Sequence, residues 1–279
     1  MNHKFVIAGV MGWPVAHSRS PIIHNYWINK YRLHGAYGLF AVSPGSLKDA
    51  FLGIKTLGLA GCNITIPHKV EAMQYMDWID PVAQKMGAIN TVVRQADGEL
   101  HGFNTDGFGY IQSLKEANPN WQANAGPIVV LGAGGAARGI ILSLILEGAT
   151  EIRLLNRTLI NAQALANELG SNLIQAIDWA ERNDALSGAS LLINTTNQGM
   201  HGQAALDIQL EQLPMSALVS DAIYIPLETT LLTQARLRGH TTVNGLGMLL
   251  NQARPGFEHW FGVAPEIDSI LINQVTASI

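Results

Sequence analysis

Lys69 ends the stretch Leu59-Ala-Gly-Cys-Asn-Ile-Thr-Ile-Pro-His-Lys69. Asn63 and Thr65 interrupt its apolar character, alternate with Ile64 and Ile66, and so share one face of a strand and its end. A lysine just past a strand end, in a chain that also offers serines and a threonine, is a candidate proton-transfer group. The other reading is an exposed lysine with its head in water. Ser18-Arg19-Ser20-Pro21 precedes a helical pattern. Ser20 before Pro21 reads as an N-cap followed by N1. Ser18 has no such structural reading, and two serines around an arginine ahead of a helix N-terminus suit a hydroxylated or anionic ligand. Asp106, in Asn104-Thr105-Asp106-Gly107, reads either as a helix cap or as an active-site carboxylate.

A second constellation lies between Pro127 and Thr158. Ile128 to Leu131 is a continuous apolar run, as a strand buried on both faces should be. Gly132, Gly134 and Gly135 follow at once, then an apolar helical run to Leu146, then a second strand over 151–155. Gly132 permits a tight bend, and Gly134 lets backbone approach a pyrophosphate with no Cβ in the way. The helix that follows offers unpaired N–H groups and a positive dipole end. Ala137 stands where the motif's last glycine would be, and a small residue is accepted there. This predicts dinucleotide binding. An NAD site usually carries Asp or Glu at the end of the second strand, whereas this chain has Asn156-Arg157-Thr158. A carboxylate repels a 2′-phosphate and a guanidinium binds it, so NADP is expected over NAD.

The elements that must position these groups follow from the pattern. Strands are expected over 4–9 and 36–42, with helices over 21–31 and 46–57, the latter ended near Gly58. Residues 88–94 and 100–103 flank Asp97-Gly98 as a hairpin. Beyond the glycine-rich unit, strands are expected over 172–175, 190–194, 217–222 and 241–243, with helices between them. That alternation implies an α/β fold whose C-terminal half is a doubly wound parallel sheet of the Rossmann type, beside an N-terminal α/β domain. Asn194-Thr195-Thr196 lies just past a strand's carboxyl end, where a nucleotide would sit. A helix begins after Asn244 and is expected to break at Pro255. A last helix over 265–275 has no partner inside the sheet and is expected to pack on the first domain. The domains expected are 1–105 plus 246–279 and 106–245, with the site in a cleft between them.

Bulk composition narrows the classes. Hydrophobic residues are 48% and charged residues 14%, which supports a sizeable core. The net charge of −4 gives no electrostatic case for nucleic acid or an anionic membrane. No apolar run reaches membrane-spanning length, and the N-terminus lacks a signal-peptide core. Cys62 is the only cysteine, so no intrachain disulfide is possible and a cytoplasmic location is expected. Despite nine histidines, no H-E-x-x-H or Cys/His cluster appears, so no metal site is expected.

Taken together, the segments resemble the shikimate dehydrogenase family (shikimate/quinate dehydrogenases). The resemblance runs from Gly12 to Gln252. It rests on Ser18-Arg-Ser20-Pro21, Asn63-Ile-Thr65-Ile-Pro-His-Lys69, Ala88-Ile-Asn90-Thr91, Asn104-Thr-Asp106-Gly107, the Gly132-Ala-Gly-Gly turn, Asn156-Arg-Thr158, and Gly245-Leu-Gly-Met-Leu with Gln252. It implies NADPH-linked reversible reduction of 3-dehydroshikimate to shikimate in aromatic amino-acid (chorismate) biosynthesis. It implies an N-terminal substrate domain, with Ser18, Ser20, Thr65, Lys69, Asn90, Asp106, Tyr224 and Gln252 holding substrate. Lys69 and Asp106 would form the catalytic pair. Cofactor contacts would come from Gly132, Ala133, Gly134, Gly135, Ala136, Asn156, Arg157, Thr158, Thr195, Thr196 and Gly245. The partner is then a small molecule, with no nucleic acid or membrane, and the chain a monomer or homodimer. An ordinary lysine, with a pKa of about 10.4, is the right acid for a developing alkoxide near neutral pH. Where NADP-specific members carry a second basic residue after Asn-Arg-Thr, this chain has Leu159, Ile160 and Asn161, which implies a modest preference for NADP. The alternatives are a quinate/shikimate or aminoshikimate dehydrogenase with relaxed cofactor use, and a non-catalytic dinucleotide sensor.

Overall fold

The structure is a computed structural model and describes residues 5–279. The chain packs as two compact units, one ending at Thr105 and resuming over Gln252–Ile279, the other formed by Asp106–Asn251.

The first unit runs β1 (Val6–Gly12), α1 (Ser20–Lys30), β2 (Gly35–Ala41), α2 (Leu47–Leu57), β3 (Gly61–Ile64), β4 (Trp78–Ile79), α3 (Pro81–Met86), β5 (Thr91–Arg94) and β6 (Leu100–Phe103). Its sheet has the order β2-β1-β3-β5-β6-β4. β1 pairs in parallel with β2 and β3, and β3 pairs antiparallel with β5. β5 and β6 form the expected hairpin, closed by the Arg94↔Leu100 pair. The first strand lies further along than expected: it runs on to Gly12, and Lys4 falls outside the described residues. α2 ends as expected, on Gly58 in the left-handed region at φ 68°.

The Ser20 cap reading is corrected. Ser20 is the first residue of α1 and buried, Arg19 takes the cap position, and the Ser20 N–H donates to Ser18 Oγ at 3.3 Å. The serine that serves the helix start is therefore Ser18, and the Ser20 side chain is turned inward.

The second unit runs α4 (Asp106–Ala117), β7 (Ile128–Leu131), α5 (Gly135–Leu146), β8 (Ile152–Leu155), α6 (Leu159–Leu169), β9 (Ile174–Ile177), β10 (Leu191–Asn194), β11 (Leu218–Asp221), α7 (Thr230–Leu237), β12 (Thr242–Val243) and α8 (Gly245–Asn251). Its strand order is β12-β11-β10-β7-β8-β9, and each pairing is parallel. Ile128 and Val130 pack into one core with Ile140, Leu144 and Leu114, while Val129 and Leu131 pack into another with Leu192, Val219 and Leu232. Alternate side chains of one strand thus feed cores on opposite faces, which is why β7 is apolar throughout. Each of its four side chains is 0% exposed, and burial of each contributes about 1.5–3 kcal/mol.

Where the sequence reading puts the return to the first unit at residue 246, α8 packs on α4. A Cβ on Gly247 would meet Ser113 Cβ at 2.8 Å, and the return comes at Gln252. Pro255 does not break the next helix. It sits in the first turn of α9 (Ala253–Phe261), where its missing N–H would have no partner anyway.

The last helix, α10 (Ser269–Thr276), packs on α1 within the first unit and starts later than expected. Asp268 is its N-cap, accepting from the Leu271 N–H, and it also accepts from Tyr26 at 2.6 Å and Lys30 at 2.9 Å. The Tyr26 bond, the Leu271 N–H and Lys30 hold its carboxyl far below the ordinary value of 3.8. Stability from a depressed carboxylate is fully present above the unfolded pKa and is lost as pH falls toward the folded one. Asp268→Ala is expected to cost about 1 kcal/mol at pH 7, and thermal melts of variant and parent should converge as pH falls below about 4.

Candidate active site

The candidate substrate residues of the first unit gather where β1 and β3 end and β5 begins. Thr65 follows β3 and is held by its N–H on the Met11 carbonyl at 2.9 Å. Gly12 is needed beside it, because a Cβ there would overlap the Thr65 methyl group. The Thr65 carbonyl then accepts the His68 N–H at 2.9 Å. His68 is buried, with Nε2 against the Val42 carbonyl at 2.7 Å. The Lys69 carbonyl accepts the Ile89 N–H at 2.9 Å. Both sides of Lys69 are thereby fixed, while its side chain remains half-buried.

Asn90 anchors a buried polar network. Its Oδ1 accepts from the Thr105 N–H at 2.9 Å and the Thr91 hydroxyl at 3.0 Å. Its Nδ2 faces Thr105 Oγ1 at 3.0 Å and Gln252 Oε1 at 3.4 Å. Asn63 Nδ2 donates to the Asn90 carbonyl and to Thr91 Oγ1, both at 3.1 Å, and Asn63 Oδ1 accepts from Tyr37 at 2.6 Å. Burial pushes the Tyr37 phenol well above its ordinary value, so it donates as a neutral group. Its ring stacks on His24 at 4.1 Å between centroids, and burial lowers the His24 pKa to about 3, which leaves the imidazole neutral. His24 lies one helical turn after Ser20, so both face the interior of the unit.

The structure therefore brings Asn90 and Gln252 into contact, ties Thr65 and Lys69 to adjoining backbone, and buries Ser20. Ser18 serves the start of α1. Tyr37, Thr91 and Thr105 are members the sequence reading missed. Thr91 and Thr105 lie inside the motifs that carry the resemblance, but Tyr37 has no sequence signal beyond being an aromatic in a strand.

In the second unit, Asp106 is the first residue of α4 and half-buried. Gly132 sits at φ 105°, and a Cβ there would lie 2.6 Å from Thr195 Oγ1. Its N–H donates to the Leu155 carbonyl at 2.7 Å, and the Thr195 hydroxyl donates to the Leu131 carbonyl at 2.7 Å. Gly134, Gly135 and Ala136 are exposed, whereas Ala133 is half-buried. A Cβ on Gly134 or Gly135 would meet nothing within 4 Å, and no side chain caps α5. Open space in front of an uncapped helix start fits a diphosphate.

At the end of β8, Arg157 and Thr158 are exposed, and Asn156 Nδ2 donates to the Thr158 carbonyl at 2.9 Å, shaping that turn. Asn194 Oδ1 accepts from the Thr196 N–H at 3.0 Å and from its hydroxyl at 2.7 Å. Tyr224 is half-buried. Gly245 is buried, and its N–H donates to the Ile223 carbonyl at 2.9 Å. Among the described residues, no group of three or more His, Cys, Asp or Glu could hold a metal ion, and no helix is long and apolar enough to cross a membrane.

Residues 10–92 match the shikimate dehydrogenase substrate binding domain, residues 115–202 match the shikimate/quinate 5-dehydrogenase domain, and residues 245–271 match the shikimate 5′-dehydrogenase C-terminal domain. A curated relative from Rhodospirillum rubrum, named shikimate dehydrogenase (NADP(+)), is 51% identical over 271 residues, 96% of each chain. The chain belongs to the shikimate dehydrogenase family. Two solved structures agree in fold across the full length. A shikimate dehydrogenase in complex with NADP+ is 38% identical with a TM-score of 0.87, covering 100% of this chain and 97% of that one. The enzyme from Thermus thermophilus, in complex with NADP(H) and shikimate, is 33% identical with a TM-score of 0.85, covering 98% and 100%. The family matches span Ser18, Ser20, Thr65, Lys69, Asn90, the glycine-rich turn, Arg157, Thr195, Thr196, Gly245 and Gln252. Asp106 and Tyr224 lie outside the matched stretches.

Replacing Asn90 with Ala leaves the buried Thr105 N–H without its acceptor. The expected loss is about 1–3 kcal/mol, read as a lower urea midpoint at unchanged slope.

Proposed function

We propose that this chain catalyses the NADP-linked interconversion of 3-dehydroshikimate and shikimate, with Lys69 and Asp106 as its catalytic pair. The observation that carries the reading is the end of β8. Behind a glycine-rich turn that leaves the α5 start open, the strand closes on Asn156-Arg157-Thr158 instead of a carboxylate. The curated relatives are named for the same cofactor. When bound, the reduced nicotinamide supplies hydride to the substrate carbonyl carbon. The Lys69 ammonium would donate a proton to the carbonyl oxygen as its π bond breaks, with Asp106 as the second member of the catalytic pair.

The unit that contains Thr65, Asn90 and Gln252 is read as the substrate domain. Ser18, Ser20, Thr65, Asn90, Tyr224 and Gln252 would hold the substrate's hydroxyls and carboxylate, groups that need donors and acceptors of fixed direction. The unit with β7 to β12 is read as the cofactor domain. Gly132 to Ala136 would hold the cofactor's phosphates, and Asn156, Arg157 and Thr158 would hold the 2′-phosphate. Thr195, Thr196 and Gly245 would supply further cofactor contacts. α6 opens on Leu159-Ile160-Asn161 with no second cation, so discrimination against NAD would rest on Arg157. That feature favours a second reading in which NAD, or a quinate-type substrate, is also used. The reading further places the enzyme in the cytoplasm as a monomer or homodimer, in keeping with a single buried free cysteine.

Lys69→Ala is expected to lower kcat by about 10²–10⁴-fold with little change in KM for shikimate, and near-normal turnover would remove Lys69 from its role. Arg157→Ala is expected to raise KM for NADP by about tenfold or more, the worth of a charge-assisted hydrogen bond, while leaving KM for NAD nearly unchanged in steady-state assays.

A further inference from the structure

Asp221 ends β11 and is 1% exposed. Its partners are neutral donors from separate segments. Oδ1 accepts from Asn194 Nδ2 at 3.1 Å and from the Ile223 N–H at 3.1 Å, and Oδ2 accepts from the Thr229 hydroxyl at 2.8 Å. A carboxylate is costly to bury without a cation, so its presence calls for a reason. One reason is that an ionised carboxylate only accepts. Asn194 must therefore turn its Nδ2 toward Asp221, and its Oδ1 is then left facing Thr196, where it accepts from the N–H and the hydroxyl. Asn194 Nδ2 also reaches the Gln198 carbonyl at 3.1 Å, and Thr196 Oγ1 accepts the Gln198 N–H at 3.1 Å. Thr195 is tied to the Leu131 carbonyl, but the turn from Thr196 to Gln198 is shaped by the Asn194 amide, and the direction of that amide is set by Asp221.

The bond to Ile223 acts on a second segment. Ile223 immediately precedes Tyr224, and its carbonyl accepts the Gly245 N–H at 2.9 Å. The Thr229 bond has a different effect: Thr229 is the N-cap of α7 and accepts the Leu232 N–H at 3.4 Å, so it secures the helix.

Building on the proposed function, we infer that Asp221 is a positioning residue for both ligands. It orients Asn194 and through it Thr196 on the cofactor side, and it fixes the Ile223 amide ahead of Tyr224 on the substrate side. It touches neither ligand. Replacement by Asn abolishes the selection, because an amide can donate as well as accept and tolerates either orientation of Asn194.

The test uses the full chain in three variants. In Asp221→Asn, amide hydrogen exchange over 195–198 and 222–225 of the cofactor-free protein is expected to rise while β7 and β8 keep their protection. The Kd for NADPH by fluorescence and the KM for shikimate should both rise by about tenfold. Asn194→Ala, which keeps the carboxylate, should weaken NADPH binding to a similar extent and leave the KM for shikimate within about twofold. Thr229→Val should lower Tm and leave both constants within about twofold. The inference is overturned if Asp221→Asn lowers Tm alone, or if Thr229→Val weakens NADPH binding as much as Asp221→Asn does. It is also overturned if Asn194→Ala binds NADPH like the parent, an arm that decides the matter even where Asp221→Asn does not fold. Failure of the parent to turn over shikimate would remove the proposed function instead, and the exchange pattern would still report on the loop.

Discussion

The first unit is made of two separate stretches of chain, and a part-buried hydrogen bond helps to join them where the chain leaves and returns. The Thr105 hydroxyl donates to the Gln252 carbonyl at 2.7 Å. Thr105 is the last residue before the second unit and Gln252 the first after it. Both belong to the network around Asn90, whose side chain also meets Gln252. Buried polar groups are expensive unless every partner is present. The network therefore needs the exit and the re-entry in place together. The same bonds hold Asn90 and Gln252, two of the groups assigned to substrate, so the constraint that closes the unit also shapes its chemistry.

The second unit meets a different demand, leaving N–H groups at the α5 start and the exposed Arg157, the groups assigned above to an anionic cofactor, without the polar ends costing stability. A sheet with cores on both faces supplies the rigid frame. Gly132 turns the chain against Thr195, and α5 begins without a side-chain cap. At the neighbouring strand end, Arg157 stands in solvent, where it gives up little by waiting for a ligand.

Much of this was legible in the residues. The run Ile128–Leu131 and the glycines after it gave the β-α-β unit, because a strand buried on both faces and a helix on a sheet leave distinct periodicities. Asp97-Gly98 gave the hairpin. Local signals misled where tertiary packing decided the outcome. Ser20-Pro21 looks like a cap and N1, but the Ser18 hydroxyl takes the N–H that frees Ser20 to turn inward. Pro255 looks like a stop, but after Gln252 a new helix begins and the proline falls in its first turn. Tyr37 and Asp221 were invisible, since their meaning comes from partners far along the chain: Asn63 for the one, Asn194 for the other.

The central claim is that Lys69 and the Arg157 turn serve one reaction on one substrate class. The most direct measurement is the initial rate of nicotinamide reduction by the purified parent protein, with shikimate and with quinate, each with NADP and with NAD. The account predicts that shikimate with NADP gives the fastest turnover. No turnover of shikimate with either cofactor, or quinate with NAD outpacing shikimate with NADP, would contradict it.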